Sequence, residues 1–150
     1  MKRILFILTV SLFFSSFSFA AIEIMTLITK EEGAIEEPPS GLYEIGKVLN
    51  DGPDIKVVKP ETQEKYRSPI RIIILFLSKN GKKVDLSRLK VECLKLFTVD
   101  LTERVLPYTT EEGIKIENAK LPAGNHKIRI TVGDAEGGVT QQVFLVNILE

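Results

Sequence analysis

From Asp54 onward, apolar residues recur at every second position, in short runs cut by proline, glycine and asparagine. The strongest run is Pro69 to Ser78, in which Ile70, Ile72, Ile74 and Phe76 form one unbroken face. A repeat of two belongs to a strand, whose successive side chains point to opposite sides of a sheet. His126 to Val132 alternates in the same way, with Ile128, Ile130 and Val132 together. Asp54 to Pro60, Gly113 to Glu117 and Val139 to Ile148 supply further runs. Between them stand Asn80-Gly81, whose two residues tolerate positive φ, the Leu121 to Gly124 turn, and the glycine-rich loop Gly133 to Gly138. Strands at this spacing, with no convincing long helix, predict an all-β antiparallel sandwich of about seven strands over residues 54–148.

Two segments resist the pattern. Leu86 to Phe97 fits a helical stripe through Leu86, Leu89, Cys93, Leu96 and Phe97, and equally a strand face through Leu89, Val91 and Cys93. Its neighbours favour a strand over Leu89 to Phe97, and the helix stays open as the alternative. Val99 to Val105 reads as a turn or a single helical turn, with Asp100 placed to cap the amides that follow.

Ahead of these runs the chain changes character. Met1-Lys2-Arg3 is followed by an almost unbroken apolar run from Ile4 to Phe14, and a Ser/Phe stretch ends on Ser18-Phe19-Ala20. This is the layout of a secretory signal, with small residues three and one positions before a cut after Ala20. No other stretch approaches the roughly 20 apolar residues that a membrane-spanning helix needs. The expectation is an exported, soluble chain, periplasmic or secreted, with no integral membrane segment after cleavage. No cysteine stands immediately after the cut, so no acyl anchor is expected. Residues 21–52 read as an N-terminal arm or linker ahead of a single domain, 53–150. The β-prone run Ile22 to Ile28 leads into Glu31-Glu32 and then Glu36-Glu37-Pro38-Pro39. Thr29 and Glu32 have capping-box spacing for one helical turn, and the proline pair makes regular structure beyond it improbable. The apolar run needs a resting place, either along an edge of its own sandwich or on another protein's sheet, and own-edge docking is the simpler placement.

Charge and cysteine usage narrow the function classes. Losing Lys2 and Arg3 with the leader leaves 18 basic against 20 acidic residues, or about −2. Such a balance argues against nucleic acid, whose binding draws on clustered Lys and Arg, and gives no support to a polybasic membrane patch. Cys93 is the single cysteine, so no disulfide within the chain braces the fold, and a buried free thiol is expected.

No constellation of residues amounts to an active site. His126, the one histidine, reads as a strand-end polar residue, because no serine or cysteine is marked as its partner. Asp134 and Glu136 lie in a glycine-rich loop that could present oxygens to calcium. Their spacing lacks the density of a self-sufficient ion loop, so Asp134 is expected to bind loop amides and folding to need no metal or cofactor. Tyr43, Tyr66 and Tyr108 lie outside the clearest strands and no tryptophan is present, which weakens a carbohydrate-binding reading. Tyr108 is expected to cover one end of the core.

The tail from Leu121-Pro122-Ala123-Gly124 through the alternating strand to Asp134-Ala135-Glu136-Gly137 resembles the final hairpin of bacterial immunoglobulin-like domains. Gly52-Pro53-Asp54-Ile55 with Pro60, and Ser68-Pro69, are similar to their first two strands. The resemblance covers roughly residues 52–148 and implies an immunoglobulin-like sandwich used as a spacer, adhesion unit or accessory domain. More narrowly, Val99 to Thr102, Pro107-Tyr108 and Gly113-Ile114 look like uncharacterised single-domain exported bacterial proteins, a likeness that transfers no catalytic residue. The expected function is an exported, non-catalytic binding or structural module that contacts another exported protein or a cell-envelope component. A carbohydrate-binding accessory module stays open beside it, as does a hydrolase assembled from scattered Asp, Glu and His126.

Overall fold

The computed structural model describes residues 21–150, the side chains of 47 and 48 excepted. The signal sequence and its cut after Ala20 lie outside the described residues. Eleven strands are described: β1 (Met25–Thr26), β2 (Gly46–Asn50), β3 (Asp54–Lys59), β4 (Lys65–Tyr66), β5 (Ile70–Leu77), β6 (Val84–Cys93), β7 (Val99–Asp100), β8 (Thr109–Thr110), β9 (Gly113–Lys120), β10 (Gly124–Asp134) and β11 (Val139–Ile148). Two single-turn helices, α1 (Lys30–Gly33) and α2 (Thr102–Val105), and a 3-10 turn (Leu106–Tyr108) complete the described elements. One sheet runs β1-β9-β5-β3 with β8 on β9; the other runs β2-β11-β10-β6-β7 with β4 on β11. The short pairings β1–β9 and β4–β11 are parallel and the rest are antiparallel. The all-β, two-sheet sandwich expected from the period-two runs is present.

Register explains which side chains meet. β5 alternates buried and solvent-facing residues along its length, so Ile70, Ile72, Ile74 and Phe76 face the second sheet. Ile128, Ile130 and Val132 of β10 answer them, and all seven are at most 5 % exposed. Burying each such side chain contributes about 1.5–3 kcal/mol, so the core expected from alternation is the core that holds the sheets together. Asn80 and Gly81 adopt positive φ, 53° and 72°. Their turn joins β5 of one sheet to β6 of the other, so it turns a corner between layers instead of closing a hairpin. The hairpin is β10–β11, in register from Gly124↔Ile148 to Gly133↔Val139.

The ambiguous segment is a strand, displaced toward its N-terminal side. β6 pairs Val91, Glu92 and Cys93 with Ile130, Arg129 and Ile128 and stops at Cys93, so the expected strand from Leu89 to Phe97 is corrected at both ends. Beyond it, the Lys95 side chain turns into the protein while Leu96 and Phe97 are 49 % and 72 % exposed. Asp100 Oδ1 accepts from the Thr102 amide at 2.8 Å, and one helical turn follows, as the sequence suggests.

Residues 21–50 lie against the sandwich. β1 adds to the β9 edge, with Met25 opposite Ala119 and Thr26 opposite Lys120, which is the own-edge placement. Thr29 and Glu32 form the capping box in full: Thr29 N–H donates to Glu32 Oε2 and Glu32 N–H to Thr29 Oγ1. Leu27 and Ile28 are 3 % and 2 % exposed and belong to the hydrophobic core. The run does more than rest on an edge: it ends inside the sandwich, with the Leu27 amide donating to Lys120 O at 3.0 Å.

Candidate functional site

The residues singled out in the sequence do not converge. Asp134 Oδ1 accepts from the amides of Glu136 (2.9 Å) and Gly138 (2.8 Å), so it organises the β10–β11 loop. Burial by itself would raise its carboxyl, but these amides outweigh burial and hold it below the ordinary carboxylate range. Gly138 is required here, since a Cβ would stand 2.5 Å from Asp134 Oδ2 and from Asp51 O. Glu136 points outward to Lys82 at 3.0 Å. Among the described residues no group of three or more His, Cys, Asp and Glu side chains is placed to hold a metal ion.

His126 stands near the start of β10, and its side chain points inward. It occupies the inward row of β10 with Ile128 and Ile130, has no exposure, and its Nε2 lies 2.8 Å from Pro122 O. Nδ1 is buried with no hydrogen-bond partner among the described residues. Burial, first, pushes the imidazole below its ordinary value, and the nearby Lys95 charge adds to that. Cys93 is a free thiol with no exposure, and burial raises it to about 11, so it is a packing residue and a poor nucleophile. Tyr66 donates its hydroxyl to Glu64, and Tyr108 donates its own to Glu23 at 3.2 Å while packing partly against the core.

Two constellations went unmarked in the sequence. The first is at one end of the sandwich, where Lys95, 4 % exposed, reaches Glu37 Oε1 at 2.9 Å and Asn125 O at 3.2 Å. Glu36 O accepts from the Leu96 amide at 2.7 Å and Leu94 N–H donates to Lys127 O at 2.8 Å. The loop 94–98 is therefore braced on both sides, with Phe97 at its tip.

The second lies on the outer face of the β2–β7 sheet. Residues 41–44 cross that face as a strap, leaving a cleft of about 390 Å3 bordered by Tyr43, Glu44, Arg129, Gln141 and Val143. The Arg129 guanidinium lies 5.5 Å from the centre of the Tyr43 ring. Glu92 Oε2 accepts from Arg129 Nε and lies 2.8 Å from Nη2, while Lys90 reaches Glu92 Oε1 at 2.8 Å. Burial favours the neutral acid of Glu92, but the two cations outweigh it and keep the carboxyl below its usual range. Gln141 Nε2 donates to Thr131 Oγ1 at 3.1 Å. Strand alternation places Arg129, Thr131 and Gln141 outward, a signal readable in the sequence. That Tyr43 would lie above them was not, because the strap has no periodicity.

Comparisons with protein families, with curated proteins and with solved structures give no match for this chain. Among the described residues no helix is long and apolar enough to cross a membrane.

Proposed function

We propose that this chain is an exported, non-catalytic binding module of immunoglobulin-like build that contacts another exported or cell-envelope protein. The strand order supports the build. β3-β5-β9 in one sheet faced by β6-β10-β11 in the other corresponds to strands A-B-E against C-F-G of an immunoglobulin domain. The leader-like first twenty residues support export.

The observation that carries the contact reading is the loop 94–98. Phe97 and Leu96 present a large apolar surface to solvent, yet their mount is fixed by the Leu96–Glu36 and Leu94–Lys127 backbone bonds and the Lys95–Glu37 ion pair. An apolar anchor held rigid loses little entropy on docking, which favours its use as an interface centre. The β3 edge is a weaker candidate: it carries Lys56 and Lys59 and ends before Pro60, features that resist strand addition. A photocrosslinker placed at Phe97 should join one protein of the exported fraction, and one placed at exposed Glu111 should not. Leu96→Ser in the same probe-bearing chain should weaken that product at least severalfold without lowering Tm. Equal labelling from both positions would remove the reading.

A further inference from the structure

We propose that the cleft between strap residues 41–44 and the outer face of the β2–β7 sheet binds a neutral oligosaccharide, a site independent of the Phe97 loop. What its walls offer decides the class. Tyr43 supplies an aromatic ring suited to the C–H face of a pyranose ring, and the buried Val143 closes the floor beneath it. Arg129 and Gln141 supply planar polar groups, suited to adjacent sugar hydroxyls, each of which donates and accepts.

Both planar groups are held before any ligand arrives. Glu92 takes Nε and Nη2 of Arg129, so the guanidinium plane is set and Nη1 is the nitrogen not committed to that carboxylate. Gln141 donates its amide to Thr131, leaving the carbonyl oxygen as its acceptor. Such fixing by neighbouring groups is what a recognition site requires. The same pairing argues against an anionic ligand. Arg129 and Lys90 are both engaged by the buried Glu92 carboxylate and exposed Glu44 stands at the rim, so these four groups leave no net positive charge for a phosphate or carboxylate. The volume of about 390 Å3 falls in the range of about 300–1,000 Å3 typical of small-molecule sites. Had the Tyr43–Arg129 contact only pinned the strap, a closed seam would have sufficed.

The test uses the chain as exported, titrated with cellohexaose, chitohexaose and maltohexaose up to roughly 10 mM, tenfold above a dissociation constant of about 1 mM. At least one should shift the backbone amide resonances of Tyr43, Arg129 and Gln141, with saturation transfer to the sugar. Tyr43→Ala and Gln141→Ala should each weaken that binding at least tenfold while Tm stays within a few degrees. Resonance mapping on the unaltered chain keeps the test decisive if a variant misfolds. No response from any of the three sugars would overturn the proposal. So would shifts confined to other residues, binding indifferent to both substitutions, or a response only to an acidic glycan such as polygalacturonate. Loss of the Phe97 crosslink with sugar binding intact would refute the protein-contact reading alone.

Discussion

The chain crosses its own sandwich twice before entering it, and the two crossings are fastened by different physics. Residues 25–32 are held from within: Leu27 and Ile28 enter the core, and Glu32 meets Arg104 in a two-point ion pair of 2.6 and 2.7 Å. Arg104 Nη1 also donates to Leu27 O at 2.8 Å, tying the strand end to α2. Residues 36–50 are held from outside, by the Glu37–Lys95 pair, the Tyr43–Arg129 contact and the short pairing of β2 with β11. Apolar burial is insensitive to salt and acid, whereas pairs at the surface are screened and individually worth little. The first crossing therefore belongs to the fold, and within the second the strap 41–44, beyond the braced Glu36 and Glu37, is the part that can move at small cost. That is the difference expected between a structural element and the wall of a binding site.

The sharpest way to break this contrast is to empty the first anchor. Leu27→Ala removes a side chain that is 3 % exposed, and should cost about 2–5 kcal/mol in a denaturant titration. A loss below about 1 kcal/mol would mean that the segment only rests on the core.

Acid should separate the anchors by where stability is lost. The Arg104 guanidinium, first, holds Glu32 at about 2 against an ordinary 4.5, with burial opposing it. The folded form thus takes up this proton less readily than the unfolded chain. Its contribution is complete above pH 4.5 and is lost as the pH falls through 4.5 toward 2. His126, beneath the second crossing, is lowered from 6.5 by burial. The unfolded chain again protonates first, so stability is full above pH 6.5 and falls below it, at up to about 1.4 kcal/mol per pH unit until the folded form also protonates. Unfolding free energies measured from pH 8 to pH 2 should show both losses. Arg104→Met should remove the lower one, with a cost near neutral pH of about 1.5–3 kcal/mol, as for hydrogen bonds to charged groups. A flat profile between pH 7 and pH 5 would contradict the buried neutral imidazole.

The smallest effect belongs to the strap. Tyr43→Ala should cost less than about 1 kcal/mol, the worth of a cation–π contact near the surface. Hydrogen exchange should rise for residues 41–50 and stay unchanged at Leu27. A cooperative loss of the whole fold on that substitution would erase the distinction between the crossings.

What could be read from residues alone follows the regularity of each segment. β11 ends where its residues alternate, and the inward faces of β5 and β10 are the expected ones, because burial on one side of a sheet imposes a period of two. Thr29 and Asp134 do what their local sequence suggests, since both bond within four residues. The burial of His126 follows the same rule: it falls on the inward row of β10, and its polarity concealed that in the sequence. The bounds of β6 were lost because its C-terminal end is decided by partners far along the chain, Lys127 and Glu36.

By itself, the sequence determined the class of fold, the core of the central strands and the turn chemistry. All of these depend on contacts whose spacing along the chain is short or periodic. Only the tertiary structure decided that Leu27 and Ile28 are core, that Lys95 is buried and reaches the exposed Glu37, and that Tyr43 stands over Arg129. Those pairings join residues separated by dozens of positions through segments with no repeat, and a contact between such residues exists only once both sheets are in place.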